Sequence, residues 1–262
     1  MARGIITLTT DFGSADPYAG IMKGVILSIH RSARIVDISH QVTPFEIPEA
    51  AFLIWQAWRY FPKGTVHVVV VDPGVGSLRR PLLAEAGGHY FLAPDNGVLS
   101  MVLSELPHKV RALTAEKYFL KPVSRTFHGR DIFAPVAAHL ARGLSPARLG
   151  KLVRDYARQE FFKPVHTGKR IWTGSVLRID RFGNLVTNLH FGEFPTVATR
   201  PFILRVGLET VSRFAGTFAE CPPGELCLVP GSSGYLEIVM NQASAAQRLG
   251  CAPGAPVELT LY

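Results

Sequence analysis

The sequence is short of the features that would take it out of the ordinary globular class. It has three cysteines in 262 residues, Cys221, Cys227 and Cys251. They form no CxxC pair and cannot all be bridged to one another, which leaves no cysteine-rich zinc site and fits a reducing cytosol. No apolar run reaches the length needed to cross a membrane. Met1-Ala2-Arg3-Gly4 leads straight into a strand-like run with no secretory signal, so the expected location is cytoplasmic. Internal repeats and low-complexity tracts are missing too, which excludes solenoids and arrays. Charged residues are scarce at 18% against 47% apolar, so the chain is not disordered and has enough apolar surface for a substantial core.

Acidic charge is in deficit. Net charge is +8, with 28 Lys and Arg against 20 Asp and Glu. Much of the excess lies in Arg142, Arg148, Lys151, Arg154, Arg158 and Lys163. These lack the aromatic interleaving of a single-strand platform and match no reader motif, so a nucleic-acid partner is not expected. They read as a solvated helix face and the linker after it.

Two patterns divide the chain. Over residues 1–165 strands and helices alternate: Ile5–Thr10, a helix from about Tyr18 to His30, Arg34–Ile38, a helix opened by Pro48, the valine strand from Val66, Pro81–Ala86, Tyr90–Ala93 and a helix over Ile132–Ala141. This predicts an α/β domain with a largely parallel central sheet. Over residues 166–262 short strands separated by Gly/Pro turns, from Ile171–Ile179 to Pro256–Leu261, predict a smaller all-β, barrel-like domain.

The valine strand constrains function most. Val66-His67-Val68-Val69-Val70-Val71 reads as a buried strand with both faces covered. It stops at Asp72-Pro73-Gly74-Val75-Gly76-Ser77-Leu78-Arg79, a tight turn. Ligands of open α/β sheets gather at the carboxyl ends of strands, which puts Asp72 at the crevice with Arg79 close enough to fold back on it. Other strand or turn ends carry Asp11, suited to paired ribose hydroxyls; His128, beside a glycine just before a helix; Asp180 and Asn184, in a turn; and Ser232 with Glu237. Each alone also reads as an ordinary cap, core histidine or hairpin loop.

Taken together and in order, Thr9-Thr10-Asp11-Phe12-Gly13, Asp72 through Arg79, Ala93-Pro94-Asp95-Asn96-Gly97, Phe127-His128-Gly129-Arg130-Asp131, Phe182-Gly183-Asn184 and Ser232 to Glu237 closely resemble the S-adenosylmethionine hydrolases. These are hydroxide adenosyltransferases, related to the fluorinase and chlorinase. The resemblance spans essentially the whole chain. It implies hydrolysis of S-adenosylmethionine to adenosine and L-methionine, with Asp72, Arg79 and His128 as a triad that holds and activates water. It further implies Asp11 as the ribose-diol ligand, Phe45 packing on the nucleoside, Asn184 and the Met240 backbone at adenine, and Asp180, Ser232 and Glu237 around the methionine moiety. The implied partners are substrate and water, with no cofactor and no metal, in a homotrimer whose active sites lie between subunits.

Two other readings stand beside it. A halogenase on the same scaffold would carry a Tyr-Pro-x-Thr turn, a halide-binding serine at the position of Gly129 and an inserted loop near Gly87. A non-catalytic S-adenosylmethionine or adenosine sensor would need no water-activating set.

Overall fold

The structure is a computed structural model and describes residues 4–262. The reading of Met1–Arg3 lies outside the described residues. The chain divides into two compact units, Met1–Gln159 and Glu160–Tyr262. The division falls somewhat ahead of residue 165. Phe161 belongs to the second unit, where its carbonyl accepts from Asn188 Nδ2 at 3.0 Å.

The first unit is built on one sheet. In chain order its strands are β1 (Ile5–Thr10), β2 (Arg34–Ser39), β3 (Val66–Val70), β4 (Pro81–Ala86), β5 (His89–Pro94), β6 (His108–Ala112) and β7 (Leu152–Val153). Their spatial order is β2-β1-β3-β5-β4-β6-β7. The sheet is mixed: β2, β1, β3 and β5 run parallel, while β4, β6 and β7 join antiparallel. The reason is local. Gly87 and Gly88, both at positive φ (59° and 82°), make a two-residue hairpin between β4 and β5, too short for a parallel crossover.

Strand β3 is fully buried because both its faces are covered. Val66, Val68 and Val70 pack with Met22 and Ile26 of α1 (Tyr18–Ile29) and with Val136, Ala137 and Leu140 of α4 (Ala134–Ala141). Side chains alternate along a strand, so His67 and Val69 face the other layer. There His67 meets Phe61 and Phe91, near Trp58 in the short turn after α2 (Ile47–Ala57). The helix expected over Ile132–Ala141 is in two parts, a π-helical turn over Gly129–Phe133 running into α4. A further helix, α3 (Ser100–Glu105), precedes β6.

The expected basic helix face is not formed. Arg142 caps α4, Arg148 ends a 3-10 turn, and Lys151, Arg154 and Arg158 lie along irregular chain. Gly143 and Pro146 end the helical pattern before the charges can align.

The second unit holds an eight-stranded antiparallel sheet of β8 (Val165–Gly168), β9 (Ile171–Ile179), β10 (Leu185–His190), β11 (Phe202–Val206), β12 (Glu209–Val211), β13 (Leu226–Pro230), β14 (Tyr235–Met240) and β15 (Pro256–Leu261). The order β12-β11-β15-β9-β10-β14-β13 curls until Phe214, just past β12, bridges Leu228 of β13. That contact all but closes a barrel around Val176, Leu185, Leu204, Leu236, Ile238 and Leu259. A short helix, α5 (Ala245–Leu249), is capped by Ser244 Oγ, which accepts from Gln247 N. Where the sequence suggested reduced thiols, the structure pairs Cys221 with Cys227 in a disulfide and leaves Cys251 free. The loop between residues 221 and 227 folds back onto β13, which buries both sulfurs beside Val229 and Val239.

Among the described residues no helix is long and apolar enough to cross a membrane. No group of three or more His, Cys, Asp and Glu side chains among them is arranged to hold a metal ion.

Candidate active site

Strand β3 delivers its last valines to the carboxyl end of the parallel strands, and the chain then turns twice in eight residues. Val75 N donates to Asp72 O at 3.2 Å, Ser77 N donates to Gly74 O at 3.1 Å, and Ser77 Oγ accepts from Arg79 N at 3.3 Å. These turns fold Arg79 back over Asp72. Arg79 Nε donates to Asp72 Oδ1 at 3.0 Å, and Nη2 pairs with Oδ2 in a closer, charge-assisted contact. The side chains are 8% and 5% exposed, so this is a buried bidentate pair and not a surface salt bridge. Its neighbour Arg80 is a half-buried clamp of a different kind. It holds Asp95 at 2.7 Å and Asp155 at 3.0 Å, and donates to the Asp155 carbonyl as well.

A second loop brings the histidine. Asp131, fully buried, accepts from Ser124 N at 2.8 Å and from Arg130 Nε at 2.6 Å, which fixes the loop from Ser124 to the π-helical turn. The two loops touch at Gly76, whose φ of 78° suits glycine. A Cβ there would overlap the Arg125 carbonyl oxygen. His128 Nδ1 then lies 2.7 Å from Arg79 Nη2. A guanidinium only donates, so Nδ1 accepts and the proton of a neutral ring sits on Nε2. Burial, and next the Arg79 charge, lower the His128 pKa against the opposing pull of Asp72 and Asp131, so the neutral ring dominates at pH 7. Arg79 Nη1 is buried without a hydrogen-bond partner, a spare donor beside the triad.

The triad borders a cleft of about 270 Å³ whose lining includes Asp11, Phe12, Tyr18, Phe45, Asp72, Phe127 and His128. Phe12, Tyr18 and Phe127 pack edge to face, with centroids 5.3 to 5.8 Å apart. Asp11 leaves the end of β1, and its Oδ2 accepts from Phe45 N at 3.0 Å. Phe45 sits at φ 70° and is 69% exposed. An aromatic residue in the left-handed region costs on the order of 1 kcal/mol, a strain found mostly at ligand sites. The structure therefore brings five of the candidate residues together: Asp11, Phe45, Asp72, Arg79 and His128. Phe12, Tyr18 and Phe127 carry no role in the sequence reading, since their meeting across three segments leaves no spacing signal.

The other five lie in the second unit. Asp180 Oδ1 accepts from Phe182 N and Asn184 N, both at 2.9 Å, and Oδ2 accepts from Asn184 Nδ2 at 2.9 Å. One edge of the Asn184 amide is thus held within the turn. Glu237 on β14 lies close to Asp180. Burial, with the Asp180 charge adding to it, pushes its pKa up to about 7. Gly231 makes room for it, because a Cβ there would collide with the Glu237 carboxyl. Ser232 stands exposed in the loop before β14, and Met240 ends that strand half-buried, paired with Leu226.

An α/β unit with a buried Asp-Arg-His set at a strand-end cleft, followed by an antiparallel barrel, defines a scaffold class. Comparison with known proteins narrows it. Residues 6–150 match the model of the SAM hydroxide adenosyltransferase N-terminal domain, and residues 174–258 match that of the C-terminal domain. The chain belongs to the SAM hydroxide adenosyltransferase family. It is 36% identical to an (R)-S-adenosyl-L-methionine hydrolase of Thermus thermophilus, over 95% of this chain and 97% of the relative. An uncharacterized conserved protein from Thermotoga maritima superposes with a TM-score of 0.88 at 38% identity, covering 97% of this chain and 99% of its own. A fluorinase of Actinoplanes is a more distant relative, 28% identical over 98% of this chain and 97% of the relative.

Proposed function

We propose that the protein hydrolyses S-adenosyl-L-methionine to adenosine and L-methionine. The observation that carries this reading is Arg79 bridging Asp72 and His128 at the wall of a cleft that also holds Asp11. A water oxygen attacks the ribose 5′ carbon in line with the sulfonium. The C–S bond breaks and its electron pair stays on sulfur, which leaves as the neutral thioether of methionine, so no general acid is needed. The water loses one proton as the new C–O bond forms.

The geometry suits these tasks. With Nδ1 turned to Arg79 and the ring also bonded to the Ser124 backbone, His128 is not itself free to take the water's proton and serves to hold Arg79 in place. Asp72 keeps one lone pair on each oxygen beyond its bonds to Arg79 and is the acceptor we assign. Acid–base help of this kind supplies about 10²- to 10⁴-fold, and holding the water in attack geometry supplies at least as much. Asp11 takes the ribose hydroxyls, and Phe45 covers the nucleoside and excludes bulk water. Asn184 and the Met240 backbone take adenine, while Asp180, Ser232 and Glu237 take the methionine end. The reading needs neither resident metal nor cofactor. It includes a homotrimer with each site completed by a neighbouring subunit, acting in the cytoplasm.

A halogenase has less support. The Asp72 carboxylate repels a halide, and Gly129, the position of a halide-binding serine, is buried with Met22 and Phe127 packed where a Cβ would stand. The two-glycine hairpin between β4 and β5 replaces an inserted loop. The test is incubation with S-adenosylmethionine in water enriched in oxygen-18. Labelled adenosine and unlabelled methionine are expected. Tight binding with no product would instead make the protein a sensor.

A further inference from the structure

The first unit contains a second hydrogen-bonded chain, ending one residue from Asp11, to which the reaction above gives no role. Thr10, the last residue of β1, is fully buried, and its Oγ1 lies 2.8 Å from His40 Nδ1. The far ring nitrogen, Nε2, stands 3.0 Å from Asp37 Oδ1, in ion-pair range though out of line for a straight hydrogen bond. Asp37 Oδ2 accepts from Lys23 Nζ on α1 at 2.5 Å. Burial pushes the Asp37 carboxyl up, but bonding to Lys23 and His40 more than offsets it and keeps it ionised. The chain therefore runs from an ammonium through a carboxylate and an imidazole to a hydroxyl, drawn from α1, β2, the turn after β2, and β1.

What it holds is the backbone on both sides of Asp11. Thr10 Oγ1 accepts from Phe12 N at 3.3 Å, and Gly13 N donates to the His40 carbonyl at 2.7 Å. His40 thus grips the turn through side chain and main chain at once. Asp11 in turn holds the strained Phe45 through its amide.

We propose that His40 is a positioning residue for the ribose subsite, fixing Asp11 through Thr10 and the Asp11–Gly13 turn. It touches no reacting atom. Its contribution is to hold the carboxylate where a vicinal diol meets both oxygens. The proposal rests on the reading that Asp11 binds ribose hydroxyls. Disturbing the relay loosens that grip and leaves the Asp72–Arg79–His128 geometry in place.

The experiment compares wild type, His40→Phe, Asp11→Asn and the double variant. It measures steady-state kinetics with S-adenosylmethionine, calorimetric affinity for adenosine and 2′-deoxyadenosine, and hydrogen exchange at the Phe45 amide. In His40→Phe, KM is expected to rise about tenfold with kcat within about threefold, the size of effect expected from one weakened hydrogen-bonded contact. The preference for adenosine over 2′-deoxyadenosine shrinks by a similar factor, Phe45 exchanges faster, and nothing further is lost when His40→Phe is added to Asp11→Asn. If His40→Phe does not fold, Asp37→Asn gives the same pattern in weaker form. Unchanged KM, or full ribose discrimination in a folded variant, overturns the proposal, as does a wild type that binds both nucleosides equally. A wild type that discriminates them and responds to His40→Phe while turning over no S-adenosylmethionine leaves the relay standing and removes the hydrolase reading.

Discussion

Strand β3 carries a polar network at each end, and the two are opposite in kind. At its start His67, completely buried, sits between Thr7 Oγ1 at 2.8 Å and His89 Nδ1 at 3.2 Å. Each His67 nitrogen has a partner, and burial keeps both imidazoles neutral. Just past the other end Asp72 and Arg79 are nearly as buried and His128 is half-buried, but the set is unfinished. Arg79 Nη1 has no partner, and a cleft lies alongside. A satisfied buried network specifies a core, while one with spare donors and acceptors facing a cleft can do chemistry.

That contrast predicts different failures at the two ends. The largest effect is on rate. Arg79→Met leaves the Asp72 charge buried and alone, and kcat for S-adenosylmethionine falls by about 10³-fold or more. An Arg79→Met enzyme as fast as wild type would make the Asp72–Arg79–His128 network structural too. Next, Gly76→Ala forces a Cβ toward the Arg125 carbonyl in the left-handed region and costs about 3 kcal/mol in urea unfolding, with a lowered rate because the two catalytic loops meet there.

The His67 network breaks by acid. His67 titrates near 3 in the folded chain against an ordinary 6.5. The unfolded chain therefore binds more protons in that window, so stability is whole above pH 6.5 and declines as pH falls toward 3. By pH 5 the loss is about 2 kcal/mol, and His67→Gln removes that slope in urea titrations at pH 7 and 5. A further pH effect has the opposite sign and belongs to the second unit. Glu237 is raised from its ordinary 4.5 to about 7, so the folded form binds more protons between those values and stability falls as pH rises through them. Glu237→Gln flattens that decline at the second unit's transition. A steeper decline would mean that the carboxylate is stabilised where it sits.

Much of this was legible in the sequence where hydrophobic pattern and punctuation coincide. The β-branched run of β3, ended by Asp72-Pro73-Gly74, announces both strand and site. The alternating short strands from Ile171 onward announce the antiparallel unit. What could not be read depends on chain meeting chain. Ser100–Glu105 is too short for a helical period to register, and His108-Lys109-Val110-Arg111-Ala112 is a strand dominated by polar residues. The Cys221–Cys227 bridge exists because a loop folds onto β13, which the spacing alone does not require. The relay from Lys23 through Asp37 and His40 to Thr10 joins positions without common periodicity. The antiparallel half of the sheet follows from Gly87-Gly88, whose two-residue hairpin shows only once β4 and β5 are seen to pair.

The central claim is that the unfinished network at the end of β3 activates water on a sulfonium substrate. Single-turnover rates of wild type and Asp72→Asn, with S-adenosylmethionine affinity measured in parallel, test it most directly. The account predicts equimolar adenosine and methionine from wild type, and a rate about 10²- to 10⁴-fold lower in Asp72→Asn with affinity changed little. An Asp72→Asn protein that forms adenosine at the wild-type rate would contradict it.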